Sequence, residues 1–337
     1  MSQIAIIGGG AWGTGLAIVL GRRGTHRVRM WANEAEVCES ITRNRTNEHF
    51  LPGFVLPGSI EATTDLNVAL DGSEMVVSVM PSQHCRSLFE RMAASLHPET
   101  IIVSCTKGLE NRTLLRMTEV IGDVLRSRKF IPRLAALSGP SFAKEAARGD
   151  PTAVTVASVD GDVTRAVQQA FNDSRFRVYT NDDVIGVELG GALKNIIAIA
   201  AGVCDGLGLG HNSVAALITR GLAEIARLVV ACGGRLDTMA GLAGLGDLVL
   251  TCTGDLSRNR SVGVELAKGH KLPDIIAAMH GAVAEGIFTT KAAVGLARQK
   301  NVEMPISEQM FAILENAKSP QQAIEELMTR AAKSEIY

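Results

Sequence analysis

The chain lacks closely spaced cysteine pairs, a large net charge of either sign and long uninterrupted apolar segments. Its six cysteines show no CxxC pair and no metal-like spacing among 337 residues. We therefore expect them to be reduced and buried, as is usual in the cytoplasm, with no disulfide framework and no metal site. The formal net charge of −1 gives no electrostatic basis for binding nucleic acid or an anionic membrane. Partners selected by overall charge are thereby excluded.

A membrane-spanning segment is not expected either. The most apolar stretch of the chain is interrupted by Lys194 and Asp205, whereas a spanning helix needs about 20 predominantly apolar residues. At the N-terminus, an apolar run leads directly into a glycine motif with no basic segment before it. This order is typical of a first β-strand rather than a secretory signal. The sequence thus predicts a soluble cytoplasmic protein without membrane insertion.

The pattern of apolar residues changes near residue 181 and predicts two domains. Before this point, short apolar runs alternate with helical segments, which is typical of a parallel sheet covered by helices on both faces. After it, alanine and glycine are abundant, no comparable β-branched run follows, and residues 181–183 form a good helix N-cap cluster. We predict a doubly wound, Rossmann-type α/β domain in residues 1–181 and an all-α domain in residues 182–337. The predicted strands are residues 3–7, 27–31, 75–79, 101–105, 134–137, 153–157 and 176–179, and the predicted helices include 12–23, 82–96 and 163–171.

A glycine-rich turn follows the first predicted strand and opens a helix. Its sequence, GGGAWG at residues 8–13, fits the G-x-G-x-x-G pattern of dinucleotide-binding domains. Gly8 permits the tight turn, Gly10 lets the backbone approach a pyrophosphate, and Gly13 lets helix and strand pack. The helix N-terminus then offers unpaired N–H groups to the anion. The choice between NAD and NADP stays open, because Asn33 after the second strand can bond either a 2′-hydroxyl or a 2′-phosphate.

Polar segments follow three further predicted strands, at residues 80–82, 106–108 and 138–141. In open α/β sheets, ligands bind beyond the carboxyl ends of the strands. A cation in such a place, Lys107, can face the ligand cleft, although a solvated loop lysine is an equal alternative. The segment at 138–141 alone fits turn and helix-cap chemistry, with Ser141 as the expected cap of a helix over residues 142–148.

A lysine interrupts an apolar, small-residue helix in the sequence GALKNIIA at residues 191–198. Burying an ammonium group costs several kcal/mol unless it is paired or loses its proton. Desolvation also lowers the pKa of a lysine toward neutrality. Gly191, Lys194 and Ala198 share one helix face, where the two small residues are expected to leave room for a ligand. We favour an interior, proton-transferring Lys194 over a lysine that extends from a domain surface.

Two polar segments downstream suit this lysine. The glycine-rich turn at residues 241–247 ends in Asp247, whose carboxylate can hold and tune the ammonium of Lys194. The sequence SRNR at residues 257–260 supplies Arg258 with flanking hydroxyl and amide donors, which suits a phosphate. Read alone, SRNR fits a solvated loop; beside a dinucleotide fold, it favours a small phosphorylated substrate.

These motifs, taken together, resemble the bacterial glycerol-3-phosphate dehydrogenases. The resemblance covers almost the whole chain in the same order and includes LPGFVLP at 51–57, CTKGLE at 105–110, SGPSFA at 138–143 and VAEG at 283–286. It implies reversible reduction of dihydroxyacetone phosphate to sn-glycerol 3-phosphate with NADH or NADPH. It also implies a cytoplasmic enzyme that supplies glycerophospholipid synthesis.

The resemblance also implies roles for individual residues. Lys194 is the implied proton donor and acceptor. Two departures, Ala11 in place of a common serine and Asn33 in place of a common basic residue, leave the NADP preference open. The implied substrate-binding residues are Lys107, Gly139, Ser141, Lys194, Asn195, Asp247, Thr251, Ser257, Arg258 and Asn259. The implied cofactor-binding residues are Gly8, Gly10, Ala11, Trp12, Gly13, Asn33, Lys107, Ala143, Arg258, Val283 and Glu285.

Two alternative functions are kept. A β-hydroxyacid dehydrogenase of similar two-domain build would act on an unphosphorylated hydroxy acid. A nucleotide-sensing regulator would keep the fold without catalysis, but the presence of Lys194, Asp247 and Arg258 argues against it. The alanine-rich helical domain is also compatible with a homodimer.

Overall fold

The computed structural model describes residues 2–128, 131–279, 281–332 and 334–335. Within them, eight strands form one sheet in the order β10-β9-β8-β7-β6-β1-β2-β5, and β3 pairs with β4 in a separate two-stranded sheet. The strands are β1 Ser2–Ile7, β2 His26–Trp31, β3 Thr46–Asn47, β4 Leu51–Val55, β5 Ile60–Thr63, β6 Met75–Ser78, β7 Ile101–Ser104, β8 Arg133–Ser138, β9 Thr152–Ala157 and β10 Phe176–Asn181.

All seven predicted strands occur, each within two residues of its predicted bounds. The prediction missed β3, β4 and β5. The proline and glycine of β4 argue against a strand in sequence, and β5 is a short edge strand with only its first residue buried. These strands therefore lack the continuous apolar runs that revealed the others.

The predicted parallel sheet is present, with one antiparallel pairing that the sequence did not reveal. β8 and β9 are antiparallel, whereas the other strand pairs of the large sheet are parallel. A continuous apolar run reports burial on both faces and carries no information about strand direction. Six neighbouring strands of the sheet nevertheless run in one direction, namely β8, β7, β6, β1, β2 and β5. Their carboxyl ends therefore meet along one edge.

The helices cover this sheet and then form the remainder of the chain. Beyond β10, the described residues contain helices and no strand, which confirms the predicted all-α second part. The predicted division at residue 181 stays a prediction. The helices are α1 Ala11–Arg22, α2 Ala35–Asn44, α3 Leu66–Leu70, α4 Cys85–Met92, α5 Met117–Ser127, α6 Ala143–Arg148, α7 Gly161–Phe171, α8 Val184–Gly206, α9 His211–Ala231, α10 Leu236–Met239, α11 Asp247–Thr253, α12 Arg258–Ala267, α13 Leu272–Ala278, α14 Glu285–Lys300, α15 Pro305–Leu314 and α16 Pro320–Met328.

Helix α8 is the axis of the helical part. It begins at Asp183, whose carboxylate accepts a hydrogen bond from the Gly186 N–H and caps the helix, as the sequence predicts. It is long and apolar enough to cross a membrane, but 83% of its most apolar window is buried inside the protein. It packs against α9, α11, α12 and α14, so its apolar character is that of a core helix.

The loop between β7 and α5 joins the sheet to the helical part. Leu109 is fully buried in the helical core, and Leu114 packs against the same core. The carboxylate of Glu188 on α8 accepts hydrogen bonds from Thr118, at 2.8 Å from its N–H and 2.5 Å from its hydroxyl, and pairs with Arg116 at 2.5 Å. The loop that carries Lys107 is therefore fixed to α8.

Candidate active site

The glycine turn has the geometry that a dinucleotide requires. Gly8 has φ +133°, and a Cβ there would lie 2.4 Å from the Val79 carbonyl oxygen. A Cβ on Gly13 would lie 2.0 Å from the Gly8 carbonyl oxygen, whereas a Cβ on Gly10 would meet no described atom within 4 Å. Two glycines are thus required by packing, and Gly10 faces open space at the N-terminus of α1. A pyrophosphate fits this position because the backbone can approach it closely.

The other implied cofactor residues lie around this turn and at the start of α14. Ala11 and Trp12 form the first turn of α1 and are partly buried, while Asn33 is exposed after β2. Ala143 begins α6, where it packs against Gly15 of α1. Val283 lies just before α14 and is partly buried.

Glu285, the first residue of α14, contacts the sheet. Its carboxylate accepts hydrogen bonds from the Ser82 N–H at 3.0 Å and from the Ser82 hydroxyl at 2.6 Å. Burial raises the pKa of Glu285, while the Ser82 hydrogen bonds and the charge of Arg258 oppose this increase. This contact brings α14 to the edge where β6 ends.

Two lysines share one carboxylate at the centre of the site. Asp247, at the start of α11, lies 2.8 Å from Lys194 Nζ through Oδ1 and 2.6 Å from Lys107 Nζ through Oδ2. Lys107 also donates to the Gly139 carbonyl oxygen at 3.1 Å. Lys194 also donates to the Thr251 hydroxyl at 2.6 Å, and that hydroxyl donates in turn to the Asp247 carbonyl oxygen. Each ammonium has three N–H donors, and two of them are used among the residues that the structure describes, so one is left for a ligand.

Lys194 is an interior lysine, as the sequence predicts. It is only 6% exposed, and burial lowers its pKa to about 8, although Asp247 acts to raise that pKa. The nearby positive charge of Lys107 lowers it further. A lysine with such a pKa can give or take a proton near neutral pH.

Arg258 lies at the N-terminus of α12, and its cap is Ser257, which accepts a hydrogen bond from the Arg260 N–H. In the part of the chain that the structure describes, the Arg258 guanidinium has no hydrogen bond or ion pair. Arg258 is an exposed residue; partial desolvation of its guanidinium lowers its pKa, and the Glu285 carboxylate opposes this effect. By contrast, Arg260 pairs with two aspartates, Asp205 and Asp255. Arg258 is therefore available to an anion, as expected of a phosphate-binding residue.

Asn195 and Asn259 connect the helices behind these charged groups. The side-chain Nδ2 of Asn259 donates to the side-chain Oδ1 of Asn195 at 2.9 Å, and the Oδ1 of Asn259 accepts from the Gly286 N–H at 2.9 Å. Both asparagines are buried. Together they tie α8, α12 and α14, and thereby place Lys194, Arg258 and Glu285 relative to one another.

Comparisons with known proteins identify the family of the chain. A family model for the N-terminus of NAD-dependent glycerol-3-phosphate dehydrogenase matches residues 3–164, and the model for the C-terminus of the same family matches residues 183–325. The chain belongs to this family. It is an oxidoreductase with glycerol-3-phosphate dehydrogenase activity that depends on NAD or NADP, which confirms the resemblance and favours an enzyme over a nucleotide-sensing regulator.

Individual members of the glycerol-3-phosphate dehydrogenase family match over the full length. A glycerol-3-phosphate dehydrogenase (NAD(P)+) of Koribacter versatilis is 65% identical over 337 residues, covering 100% of both chains. One from Acidobacterium capsulatum is 56% identical and covers 99% of this chain and 100% of its own. A crystal structure of glycerol-3-phosphate dehydrogenase from Coxiella burnetii superposes with a TM-score of 0.93 at 42% identity, covering 98% of this chain and 99% of that one.

Two expectations about site residues were wrong. Ser141 does not cap a helix: α6 begins at Ala143 after Phe142, and the Ser141 hydroxyl donates to the Gly139 carbonyl oxygen at 3.0 Å. Gly139 has φ +140°, a backbone conformation that residues with a side chain rarely adopt. Gly191 does not leave room for a ligand, because a Cβ there would lie 2.3 Å from the Ser138 hydroxyl oxygen. Gly191 instead lets α8 approach the end of β8.

This contact leads to a prediction about Gly191. Gly191→Ala is expected to lower kcat about tenfold, because displacing α8 from β8 moves Lys194 relative to Gly139 and small misplacements are costly in active sites. Ser138→Gly in the same chain should restore most of the loss, since the Ser138 hydroxyl has no partner among the described residues. The measurement is a double-mutant cycle of kcat and Tm, with Ser138→Gly alone as the control. Full activity of Gly191→Ala, or no restoration in the double variant, contradicts the prediction.

The sequence reasoning placed Ser82 at the ligand edge without giving it a role, and it missed Glu188 and Asn47. Ser82 holds Glu285, Glu188 holds the Lys107 loop, and Asn47 contacts the glycine turn. Ser82 follows a predicted strand, so its position at the ligand edge was a usable signal. Glu188 and Asn47 have no local signal, because their partners lie 70 and 38 residues away in sequence.

Proposed function

We propose that the enzyme reduces dihydroxyacetone phosphate to sn-glycerol 3-phosphate, reversibly, in the cytoplasm. The observation that carries this proposal is the pair of lysines on Asp247, together with the guanidinium of Arg258, which has no hydrogen bond or ion pair among the described residues. A ketone with a phosphoryl group needs a proton donor at its oxygen and a cation at its phosphate. Both types of group are present, and the hydrogen bond from Asn259, next to Arg258, to Asn195, next to Lys194, joins the two helices that carry them.

In the proposed complex, Arg258 binds the substrate phosphate. A guanidinium forms two parallel hydrogen bonds to a phosphate, and the N-terminus of α12 favours the same negative charge. Ser257 and Asn259 flank the arginine in sequence. The free N–H of Lys107 stabilises the developing negative charge on the carbonyl oxygen. Fixing both ends of a three-carbon substrate places its carbonyl carbon in one orientation.

The proposed proton transfer takes place at Lys194 Nζ. NADH or NADPH, held by the turn around Gly8, Gly10 and Gly13 together with Glu285, supplies the hydride when bound. The Lys194 ammonium gives its proton to the carbonyl oxygen as the oxygen becomes negative, and the neutral amine takes it back in the reverse direction. Asp247 and Thr251 hold the amine in place, so the third N–H points away from both.

The pH dependence of this proposal has a definite sign. Reduction needs Lys194 protonated, so its kcat/KM should fall as pH rises through about 8, the pKa of Lys194. Oxidation of glycerol 3-phosphate needs the neutral amine, so its kcat/KM should rise through the same pH. Profiles of kcat/KM in both directions between pH 6 and pH 10 (a range of about two units on either side) measure this. Profiles that change in the same direction would contradict the assignment to one group.

The direct test of the proposed substrate compares ketones. NADH and NADPH oxidation is measured with dihydroxyacetone phosphate and with unphosphorylated keto acids. Turnover of the phosphorylated ketone at least about 100-fold more efficient in kcat/KM is expected, since a charged hydrogen-bonded contact contributes about 1.5–3 kcal/mol and more than one forms. Preferential turnover of a keto acid would favour the β-hydroxyacid alternative, and would overturn the proposal.

We also propose that the product supplies glycerophospholipid synthesis. The six cysteines are free thiols, which supports a reducing compartment such as the cytoplasm. A homodimer through the helical part stays a prediction. The rates with NADH and NADPH decide the cofactor preference, which Asn33 leaves open.

A further inference from the structure

The LPGFVLP motif at residues 51–57 takes no part in the chemistry described above. It begins with β4, whose partner strand β3 contains Asn47. Asn47 is fully buried and lies against the glycine turn. Its amide nitrogen donates to the Gly9 carbonyl oxygen at 2.8 Å and to the Thr14 hydroxyl at 2.8 Å. Both amide N–H donors of Asn47 are therefore used on the turn and on α1.

The hydrogen bond to Gly9 fixes the orientation of one peptide group. In a trans peptide, the carbonyl and the next N–H point in opposite directions. Because the Gly9 carbonyl faces Asn47, the Gly10 N–H faces away from it. No backbone carbonyl in the described residues accepts the Gly10 N–H, and Gly10 borders the open space described above. The donor is thus directed outward at the position where an anion would bind.

Hydrogen bonds and buried contacts hold the segment around Asn47 in place. The side-chain Oδ1 of Asn47 accepts a hydrogen bond from the Phe50 N–H at 3.1 Å. Arg45, at the other end of the segment, donates to the Ile60 carbonyl oxygen at 2.7 Å and to the carbonyl oxygen of Leu56 at 3.2 Å. Leu51 is fully buried in the core on one side of the sheet. The 51–57 motif therefore holds Asn47 in place against the glycine turn.

We propose that Asn47 is a positioning residue for the dinucleotide and that the 51–57 motif serves to hold it. Asn47 keeps the Gly9–Gly10 peptide oriented with its N–H toward the pyrophosphate before the cofactor binds. This pre-organisation increases affinity, because binding then requires no reorientation of the turn. Asn47 itself does not contact the reacting atoms.

The test is Asn47→Asp, which keeps the shape and replaces the donor by an oxygen facing the Gly9 carbonyl. The Kd of NADH and of ADP-ribose, measured by calorimetry without substrate, should rise about tenfold or more, as expected when a buried hydrogen bond is replaced by repulsion. The KM of dihydroxyacetone phosphate at saturating NADH should change by less than about twofold, since its binding groups are elsewhere. Asn44→Asp is the matched control: Asn44 is exposed three residues away, and it should leave both Kd values unchanged.

Thr14 provides a second variant that does not alter Asn47. Thr14→Val keeps the shape but removes one acceptor of the Asn47 amide, so Kd should rise severalfold, whereas Thr14→Ser should bind as the unaltered protein does. A folded Asn47→Asp variant with unchanged Kd overturns the proposal. So does an equal loss of affinity for dinucleotide and substrate, which would indicate general destabilisation. If Asn47→Asp does not fold, the Thr14→Val result decides, and an unchanged Kd there overturns the proposal.

Discussion

Replacement of Lys194 by methionine is expected to lower kcat by about 1000-fold or more, within the range lost when a general acid is removed. Methionine keeps most of the apolar stem, and Asp247 keeps Lys107 as a partner at 2.6 Å. The fold should therefore survive, because no buried charge is left unpaired. The Kd of NADH should change little, since the glycine turn lies on the sheet and Lys194 on α8.

The measurement for Lys194→Met is steady-state kcat together with calorimetric binding of NADH. Lys291→Met is the matched control, because Lys291 is an exposed lysine on α14 and its loss should leave both quantities unchanged. Turnover of Lys194→Met within a few-fold of the unaltered protein would remove Lys194 from the proton transfer.

Replacement of Arg258 by alanine is expected to raise the KM of dihydroxyacetone phosphate about 10- to 100-fold, which corresponds to losing charged hydrogen bonds of about 1.5–3 kcal/mol. Arg260, two residues further along the chain, provides the control. Arg260→Ala removes a guanidinium that already pairs with Asp205 and Asp255, so the substrate KM should stay within about twofold.

A second control for Arg258 uses dihydroxyacetone, the substrate without its phosphate. Because the lost contacts are made to the phosphate, kcat/KM for dihydroxyacetone should be nearly the same in Arg258→Ala and in the unaltered protein. An unchanged KM for the phosphorylated ketone would remove Arg258 from phosphate recognition. An equal loss with both ketones would assign Arg258 to the cofactor alone.

The elements visible in sequence are those whose residues are neighbours along the chain. The apolar runs of β1, β6 and β7 are buried on both faces, so each stands out without knowledge of its partners. The G-x-G-x-x-G turn is visible because its three glycines act within six residues. Lys194 is visible because a charge within an apolar helix is chemically unusual. Its partner Asp247 was also anticipated.

The parts not visible in sequence depend on contacts between distant segments. The sharing of Asp247 by Lys107 joins residues 140 apart, and no local pattern reports it. Gly191 was interpreted as space for a ligand, because a sequence shows that a glycine has no side chain. It does not show which neighbouring group fills that space. The hydroxyl of Ser138 occupies it. The reversed direction of β9 is hidden for the same reason, since its composition equals that of a parallel strand.

The loop between β7 and α5 has a consequence for recombining members of this family. Leu109 from this loop is fully buried among the helices, and Glu188 of α8 accepts hydrogen bonds from Thr118 in the first turn of α5. A chimera joined between β10 and α8 would combine the loop of one parent with the helical core of another. The apolar contacts of Leu109 and the hydrogen bonds of the buried Glu188 carboxylate would then both be mismatched. Exchange of segment 105–118 along with the helices keeps these matched surfaces in one parent, although the segment lies in the first half of the gene.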